Sequence, residues 1–160
     1  MSSLLHRWLG LFGISLFLLK DCQGLFLRHT KTGKCITVSE NTVSGSNKFN
    51  KFAAMTDNCL DKKAQFRYSN GELLQNIDKN GTLVSPPAAR YKSRWAVYKG
   101  QTENEKKFLV NAKHSLKQTA AGSLLFYKRQ DGSVCAEPSS RFVLRSTHCD
   151  KPKQQFTFGK

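Results

Sequence analysis

The chain has 160 residues, 39% hydrophobic and 23% charged, with 26 Lys and Arg against 11 Asp and Glu for a net charge of +15. That length suits one domain with a modest core rather than several. A field so positive repels cationic ligands and favours polyanions such as sulfated glycans, anionic surfaces or nucleic acid. The alternative is that the charge only keeps a small protein soluble.

Met1 to Arg7 carries His6 and Arg7, and Trp8 to Leu19 is an uncharged run of twelve residues. Lys20-Asp21-Cys22-Gln23-Gly24 follows, with small residues at Cys22 and Gly24. A basic start, a short apolar stretch and a small-residue exit read as a secretory signal peptide over residues 1–24, cleaved after Gly24. A membrane anchor would need about 20 apolar residues, so no membrane insertion is expected. Secretion also sets nucleic acid aside as a partner. The leader holds Arg7, Lys20 and Asp21, so the mature chain keeps +14. It also keeps four cysteines: Cys35, Cys59, Cys135 and Cys149. Four cysteines in a secreted chain point to two disulfides, with three connectivities possible. The pairing favoured here is Cys35–Cys59 and Cys135–Cys149, with separations of 24 and 14 residues. No Cys-x-x-Cys spacing occurs and the histidines do not cluster with the cysteines, so neither a metal nor another cofactor is expected.

Along residues 25–160, short apolar or alternating runs stand between turn signals, and no long helical period occurs. The first half gives Leu25-Phe26-Leu27, Cys35 to Val38, Phe66-Arg67-Tyr68, Glu72-Leu73-Leu74 and Thr82-Leu83-Val84. The second gives Trp95 to Tyr98, Phe108-Leu109-Val110, Ser123 to Tyr127, Phe142-Val143-Leu144 and Phe156-Thr157-Phe158. Thr32-Gly33, Asn70-Gly71, Asn80-Gly81, Pro86-Pro87 and Asp131-Gly132 separate them. Many short strands with Asn-Gly and Asp-Gly turns predict an all-β barrel or sandwich. No linker divides the segment, so residues 25–160 are expected to be one domain.

The segment also repeats itself. A Gly turn leads into a short strand at Gly33-Lys34-Cys35, Gly81-Thr82-Leu83 and Gly132 to Cys135. Each unit then ends on an aromatic strand after polar residues: Gln65-Phe66, Lys107-Phe108 and Gln155-Phe156. The phenylalanines lie 42 and 48 residues apart, a period that marks a repeated supersecondary unit. Three four-stranded units closing on one another would remove exposed sheet edges. Three repeats with turn-Gly starts, the first and third with a cysteine pair and the third with a terminal Gln-x-aromatic, resemble the ricin B-type β-trefoil lectins. The resemblance covers residues 25–160. It is carried best by Thr32-Gly33-Lys34-Cys35 with Cys59, and by Asp131 to Cys135 with Cys149 and Gln154-Gln155-Phe156. The family's terminal tryptophan is phenylalanine throughout, and Leu83 replaces the first cysteine of the middle repeat.

The resemblance implies sugar binding through an acid two positions after the first repeat cysteine, an aromatic platform two before the second, and an amide before the terminal aromatic. The first repeat has Thr37, Asp57 and Ala64 there, and the middle repeat has Ser85 and Lys106 at the acid and amide positions. Both sites lack the required groups. The third keeps Glu137 and Gln154, with Lys153 beside them and Arg145 nearby, but Thr147 replaces the platform. The competing view is that Glu137 is a surface carboxylate and Gln154 a structural amide.

The most distinctive local stretch is Arg90 to Lys99, with Arg90, Lys92, Arg94 and Lys99 interleaved with Tyr91, Trp95 and Tyr98 and with no acid. Arg forks and Lys point charges fit sulfate or carboxylate. On a strand, Trp95 would face the core while Arg90, Lys92 and Arg94 share the other face. Lys106 and Lys107 add to the candidate polyanion-binding set, and Lys62-Lys63, Lys128-Arg129, Lys151 and Lys153 add further charge. Asn80-Gly81-Thr82 is an N-glycosylation sequon, usable on a secretory route.

Nothing favours an enzyme. His29, His114 and His148 lie far apart, Glu103 and Glu105 read as a solvated loop among lysines, and no catalytic motif occurs. The expected function is recognition of extracellular glycans, with sulfated or acidic ones preferred. The alternatives are a secreted signalling or inhibitory trefoil with an extracellular protein partner, or a matrix component that binds polyanions.

Overall fold

The computed structural model describes residues 24–43, 49–69, 73–86, 94–129 and 132–159, with the side chains of Ser69 and Phe108 outside that description. Residues 1–23 of the expected signal peptide, together with Arg90 and Lys92, lie outside the described residues. The first repeat contains β1 (Phe26–His29), β2 (Cys35–Thr42), β3 (Lys51–Thr56) and β4 (Phe66–Ser69), with a 3-10 helix at Lys62–Ala64 before β4. The second contains β5 (Leu73–Asn76), β6 (Gly81–Val84), β7 (Ala96–Tyr98) and β8 (Lys113–Thr119), with helix α1 (Glu103–Val110) before β8. The third contains β9 (Gly122–Arg129), β10 (Gly132–Pro138), β11 (Val143–Ser146) and β12 (Gln155–Gly159), with a 3-10 helix at Pro152–Gln154.

Each repeat gives its first and last strands to a barrel and its middle two to a hairpin. Within the barrel, β12 pairs with β1, β4 with β5 and β8 with β9, all antiparallel, and β12 also pairs with β9. Leu25 and Phe66 exchange both backbone bonds, at 2.8 and 2.7 Å, which joins β1 to β4. Between β5 and β8 the link is a side chain: the Leu74 N–H donates to His114 Nδ1 at 3.3 Å. The hairpins β2–β3, β6–β7 and β10–β11 meet one another through Phe52↔Ala96, Ala54↔Phe142 and Arg94↔Leu144. This is a β-trefoil.

Turn chemistry explains the regularity of the repeats. Gly33 and Gly132 open the first and third hairpins with φ of +71° and +126°, a region costly for residues with a Cβ. In the second repeat Asn80 takes the left-handed conformation instead, at φ +47°, which Asn tolerates.

The shared core is made by the inward alternation of all three repeats. Leu27, Ile36, Phe66, Leu74, Leu83, Trp95, Leu125 and Phe156 are all fully buried. Trp95 packs edge-on against Tyr127 at 5.9 Å, and His114 lies 5.3 Å from the same Tyr127. The two disulfides are Cys35–Cys59 and Cys135–Cys149, with Cα separations of 5.3 and 5.8 Å, so each staples one repeat. In the middle repeat the register corrects the alignment by one residue: Cys35 pairs with Arg28, Thr82 with Gln75 and Cys135 with Phe126, so Thr82 and not Leu83 stands at the cysteine position and Val84 and not Ser85 at the acid position, while Leu83 packs into the core like Ile36.

One expectation is corrected. Phe108-Leu109-Val110 is not the terminal strand of the middle repeat but the end of α1. Thr102 caps that helix, accepting from Glu105 N while the Glu105 side chain returns to the cap, a reciprocal arrangement that stabilises a helical start. The register then identifies the true counterpart of the terminal aromatics. Phe66 lies opposite Asn76, Phe156 opposite His29 and His114 opposite Tyr127. His114, buried, therefore stands where the other repeats have phenylalanine. Its Nε2–H donates to Leu83 O at 2.7 Å and its Nδ1 accepts from Leu74, so it bridges two strands of its own repeat.

The partners of those terminal residues are related as well. His29 Nε2–H donates to Lys153 O at 2.9 Å, and Asn76 Nδ2 donates to Lys63 O at 2.8 Å. Both carbonyls belong to the central residue of a 3-10 helix. The other His29 nitrogen accepts from the Thr32 hydroxyl at 2.8 Å.

Two outcomes follow. Phe66→Ala and Phe156→Ala should each lower stability by roughly 3–5 kcal/mol in denaturant unfolding. His114→Phe restores the ring of the other repeats but strands Leu74 N–H and Leu83 O, at about 1–3 kcal/mol per unpartnered group. An unchanged midpoint for His114→Phe would refute its bridging role. The second outcome concerns pH. Burial is the main cause holding the His29 pKa below its ordinary 6.5; the Lys31 charge adds to it and the bond to Lys153 O opposes it. Between that lowered value and 6.5 the unfolded chain binds the proton and the folded one does not, so stability is full above 6.5 and falls as the pH drops below it. His29→Asn, which copies Asn76, should flatten this part of the Tm–pH curve.

Candidate functional site

Two regions were expected to carry binding, the acidic position of the third repeat and the basic stretch around β7. In the third repeat β10 supplies Glu137 and the 3-10 helix before β12 supplies Lys153 and Gln154. The three converge: Lys153 Nζ lies 2.6 Å from Glu137 Oε1, and Gln154 Nε2 donates to Glu137 Oε2 at 2.7 Å. Gln154 is wholly buried, donating also to His148 O at 2.6 Å and accepting from Lys151 N at 3.1 Å. It therefore anchors the loop 146–151 and is a structural amide. The Glu137 side chain is only 14% exposed. Burial works to raise its pKa, but the bonds from Lys153 and Gln154 and the charges of Lys153 and Lys151 outweigh it, and the pKa falls below the ordinary carboxylate value.

Arg145 does not join this cluster. The β10–β11 register sets Leu144 opposite Glu137 and Arg145 opposite Ala136, so Arg145 lies on the alternate face of the hairpin. Thr147 is exposed and offers no ring. In the first repeat Ala64 is buried in the place of Gln154, and exposed Asp57 lies 4.0 Å from Lys34 Nζ. In the middle repeat Lys106 is not at the amide position. Counting back from His114 gives Ala112, buried like Ala64, while Lys106 stands on α1.

The basic stretch is divided by β7. Arg94, at its start, is half-buried with its guanidinium carbon 4.0 Å from the Phe142 ring centre and 5.4 Å from that of Phe52. It is stacked on the hairpin cluster, a cation–π arrangement that spends part of its charge inside the protein. Lys99, past the far end of β7, has Nζ 5.6 Å from the Phe49 ring. Gly100 packs directly against Leu109 of α1, close to Lys106, so Lys99 and Lys106 share one end of the molecule. Lys106 is paired with Glu103 at 2.8 Å, and Lys107 is exposed. Five residues of extended chain separate Arg94 from Lys99, about 16 Å.

Glu105 is not the solvated carboxylate expected of it. Its Oε2 accepts from Gln101 N at 2.9 Å and its Oε1 from Asn50 Nδ2 at 2.6 Å. Asn50, fully buried, accepts in turn from Lys99 N at 3.1 Å. The helix cap thus ties α1 to the residue before β3 and to the exit of β7. No sequence spacing announces this network, although Thr102-x-x-Glu105 is a readable capping signal. Asn80 sits exposed on the turn before β6, its Oδ1 3.4 Å from Arg67 Nη2. His29 and His114 are structural, and His148 is exposed on a loop.

Among the described residues, no group of three or more His, Cys, Asp and Glu could hold a metal ion. No helix among them is long and apolar enough to cross a membrane. No protein-family model and no curated protein sequence matches the chain. Among solved structures the chain is similar to a designed 3-fold symmetric protein, ThreeFoil. The TM-score is 0.60 at 14% identity, over 86% of this chain and 99% of that one. At that identity the likeness shows the fold alone, and it agrees with the β-trefoil built from the strand pairings.

Proposed function

We propose that this protein is a secreted, non-enzymatic, lectin-like module that binds sulfated or acidic extracellular glycans through its basic surface. The observation that carries the reading is the saturation of Glu137. A neutral sugar needs a carboxylate with free lone pairs for its vicinal hydroxyls and a ring platform beside it. Here Lys153 and Gln154 already engage both carboxylate oxygens, and Thr147 supplies no platform. The remaining binding resource is positive charge, +15 over the whole chain. Two disulfides suit an oxidising, extracellular setting. Asn80, exposed on its turn, is the acceptor a glycan would use on that route. A protein partner is the second reading, favoured by Leu60 and Val110, which are 81% and 82% exposed. Single exposed aliphatics are ordinary on protein surfaces, so this reading stays second.

Heparin affinity chromatography tests the first reading. The protein should be retained at physiological salt and released as the Debye length shrinks from about 10 Å at 0.1 M to about 3 Å at 1 M. Glu137→Ala should leave the eluting salt unchanged. A neutral-sugar lectin behaves in the opposite way, with salt nearly irrelevant and Glu137→Ala abolishing binding. Flow-through of the unmodified protein at physiological salt would refute the sulfated-glycan reading.

A further inference from the structure

The three hairpins share one register. Cys35 lies opposite Thr56, Thr82 opposite Tyr98 and Cys135 opposite Ser146. Four residues before those partners stand Phe52, Arg94 and Phe142. They meet the neighbouring hairpins in a closed cycle: Phe52 pairs with Ala96, Arg94 with Leu144 and Phe142 with Ala54. The residues that follow them, Ala53, Trp95 and Val143, are fully buried in the core. By strand alternation Phe52, Arg94 and Phe142 face the other way, around the pseudo-threefold axis at the base of the trefoil.

Two positions of this ring hold phenylalanine and the third holds a cation. The fold therefore accepts an uncharged ring there and does not require the guanidinium. Arg94 is half-buried, with its guanidinium carbon 4.0 Å from the Phe142 ring centre and 5.4 Å from that of Phe52. Such contact uses the flat face of the group and leaves the N–H donors at its edge. Among the described residues those donors meet neither a hydrogen-bond acceptor nor a carboxylate. Glu137, one strand beyond Leu144 on the same face, is already held by Lys153 and Gln154. Access is from the third-repeat side. Phe52, Val84 and Ala96 are buried, whereas Phe142 and Leu144 are half-buried like Arg94 itself. Arg141, exposed just before Phe142, adds a second cation at that rim, also without a carboxylate partner among the described residues.

We propose that Arg94 is a recognition site for one sulfate or carboxylate group, and that it anchors an acidic glycan at the base of the trefoil. This rests on the polyanion reading above and assigns it a place. The oxyanion takes the edge donors of the guanidinium as a fork. Phe142 and Leu144 keep water from part of the contact, which strengthens it, and Arg141 meets the next charged group of the glycan.

The test uses the full secreted chain and immobilised heparin. Arg94→Phe completes the ring of phenylalanines, so its Tm should equal or exceed that of the unmodified protein. It should weaken heparin binding about tenfold in Kd. Lys62→Gln also removes one positive charge, from an exposed lysine of the first 3-10 helix, and should change Kd by less than about twofold. Arg94→Lys keeps the charge without the fork and should recover only part of the lost affinity. Equal Kd values for Arg94→Phe and Lys62→Gln would overturn the site while leaving polyanion binding intact, and so would full affinity in Arg94→Lys. Failure of the unmodified protein to bind heparin would overturn both. Displacement of heparin by inorganic sulfate or a single-stranded oligonucleotide as readily as by a sulfated oligosaccharide would overturn the assignment to glycans.

Discussion

Closing the barrel requires β12, near the end of the chain, to register against β1, and the side chain that fixes this register is His29. Its bond to Lys153 O joins residues 124 positions apart, and its ring lies 6.0 Å from that of Phe156. No covalent link crosses this seam, because the disulfides close loops with separations of only 24 and 14 residues inside their own repeats. Each staple removes local freedom from the unfolded chain, by a chain-entropy estimate of about 3 kcal/mol. The long-range closure is left to strand pairing and burial. A fold dominated by such contacts forms slowly relative to helical proteins of similar size. Without the seam, β1 and β12 would present open edges and the three hairpins would lose the platform on which they meet.

The middle repeat solves the same problem without a disulfide. Thr82, buried, stands where the other two repeats have a cysteine, and His114 bonds to the backbone of both β5 and β6. Glu105 and Asn50 then hold α1 against the first repeat. These are directional bonds among buried groups, where an unpartnered atom is costly, so they specify geometry as a covalent staple would. The result is a repeat that keeps the trefoil path while its sequence departs furthest from the pattern.

That departure explains what could be read beforehand. Glycine turns, the two cysteine pairs, Phe66, Phe156 and buried Trp95 are local signals, and the structure places them as alternation and turn chemistry require. The middle terminal residue was not legible. Phe108 lies 42 residues after Phe66 and 48 before Phe156, whereas His114 lies 48 after and 42 before. Spacing alone cannot choose between those mirror solutions, and an aromatic after two lysines looks more like Gln-Gln-Phe than a histidine does. The capping box at Thr102 and Glu105 was the physical signal that decided it. Of the third-repeat residues, Glu137, Lys153 and Gln154 converge because their spacings from Cys135 and Phe156 are local. Arg145 is separated from them by strand parity, which depends on the β10–β11 register.

Comparison of the three repeats position by position points to where binding can reside. The acid position reads Thr37, Val84 and Glu137, and the amide position Ala64, Ala112 and Gln154. Two of the three equivalent pockets have no polar pair, and in the third the pair bonds to itself and to Lys153. Freeing Glu137 for a ligand means breaking an ion pair whose carboxylate is mostly shielded from water, which leaves an uncompensated charge unless the ligand replaces Lys153. A neutral hydroxyl is a poor replacement for an ammonium ion. Charge on the outer strands carries no such penalty: Lys117 and Lys128 are already solvated, and an anion that reaches them displaces only water and counterions. Symmetry is therefore kept in the buried half of this trefoil, in Phe66, His114 and Phe156 with their partners, and is lost on the surface.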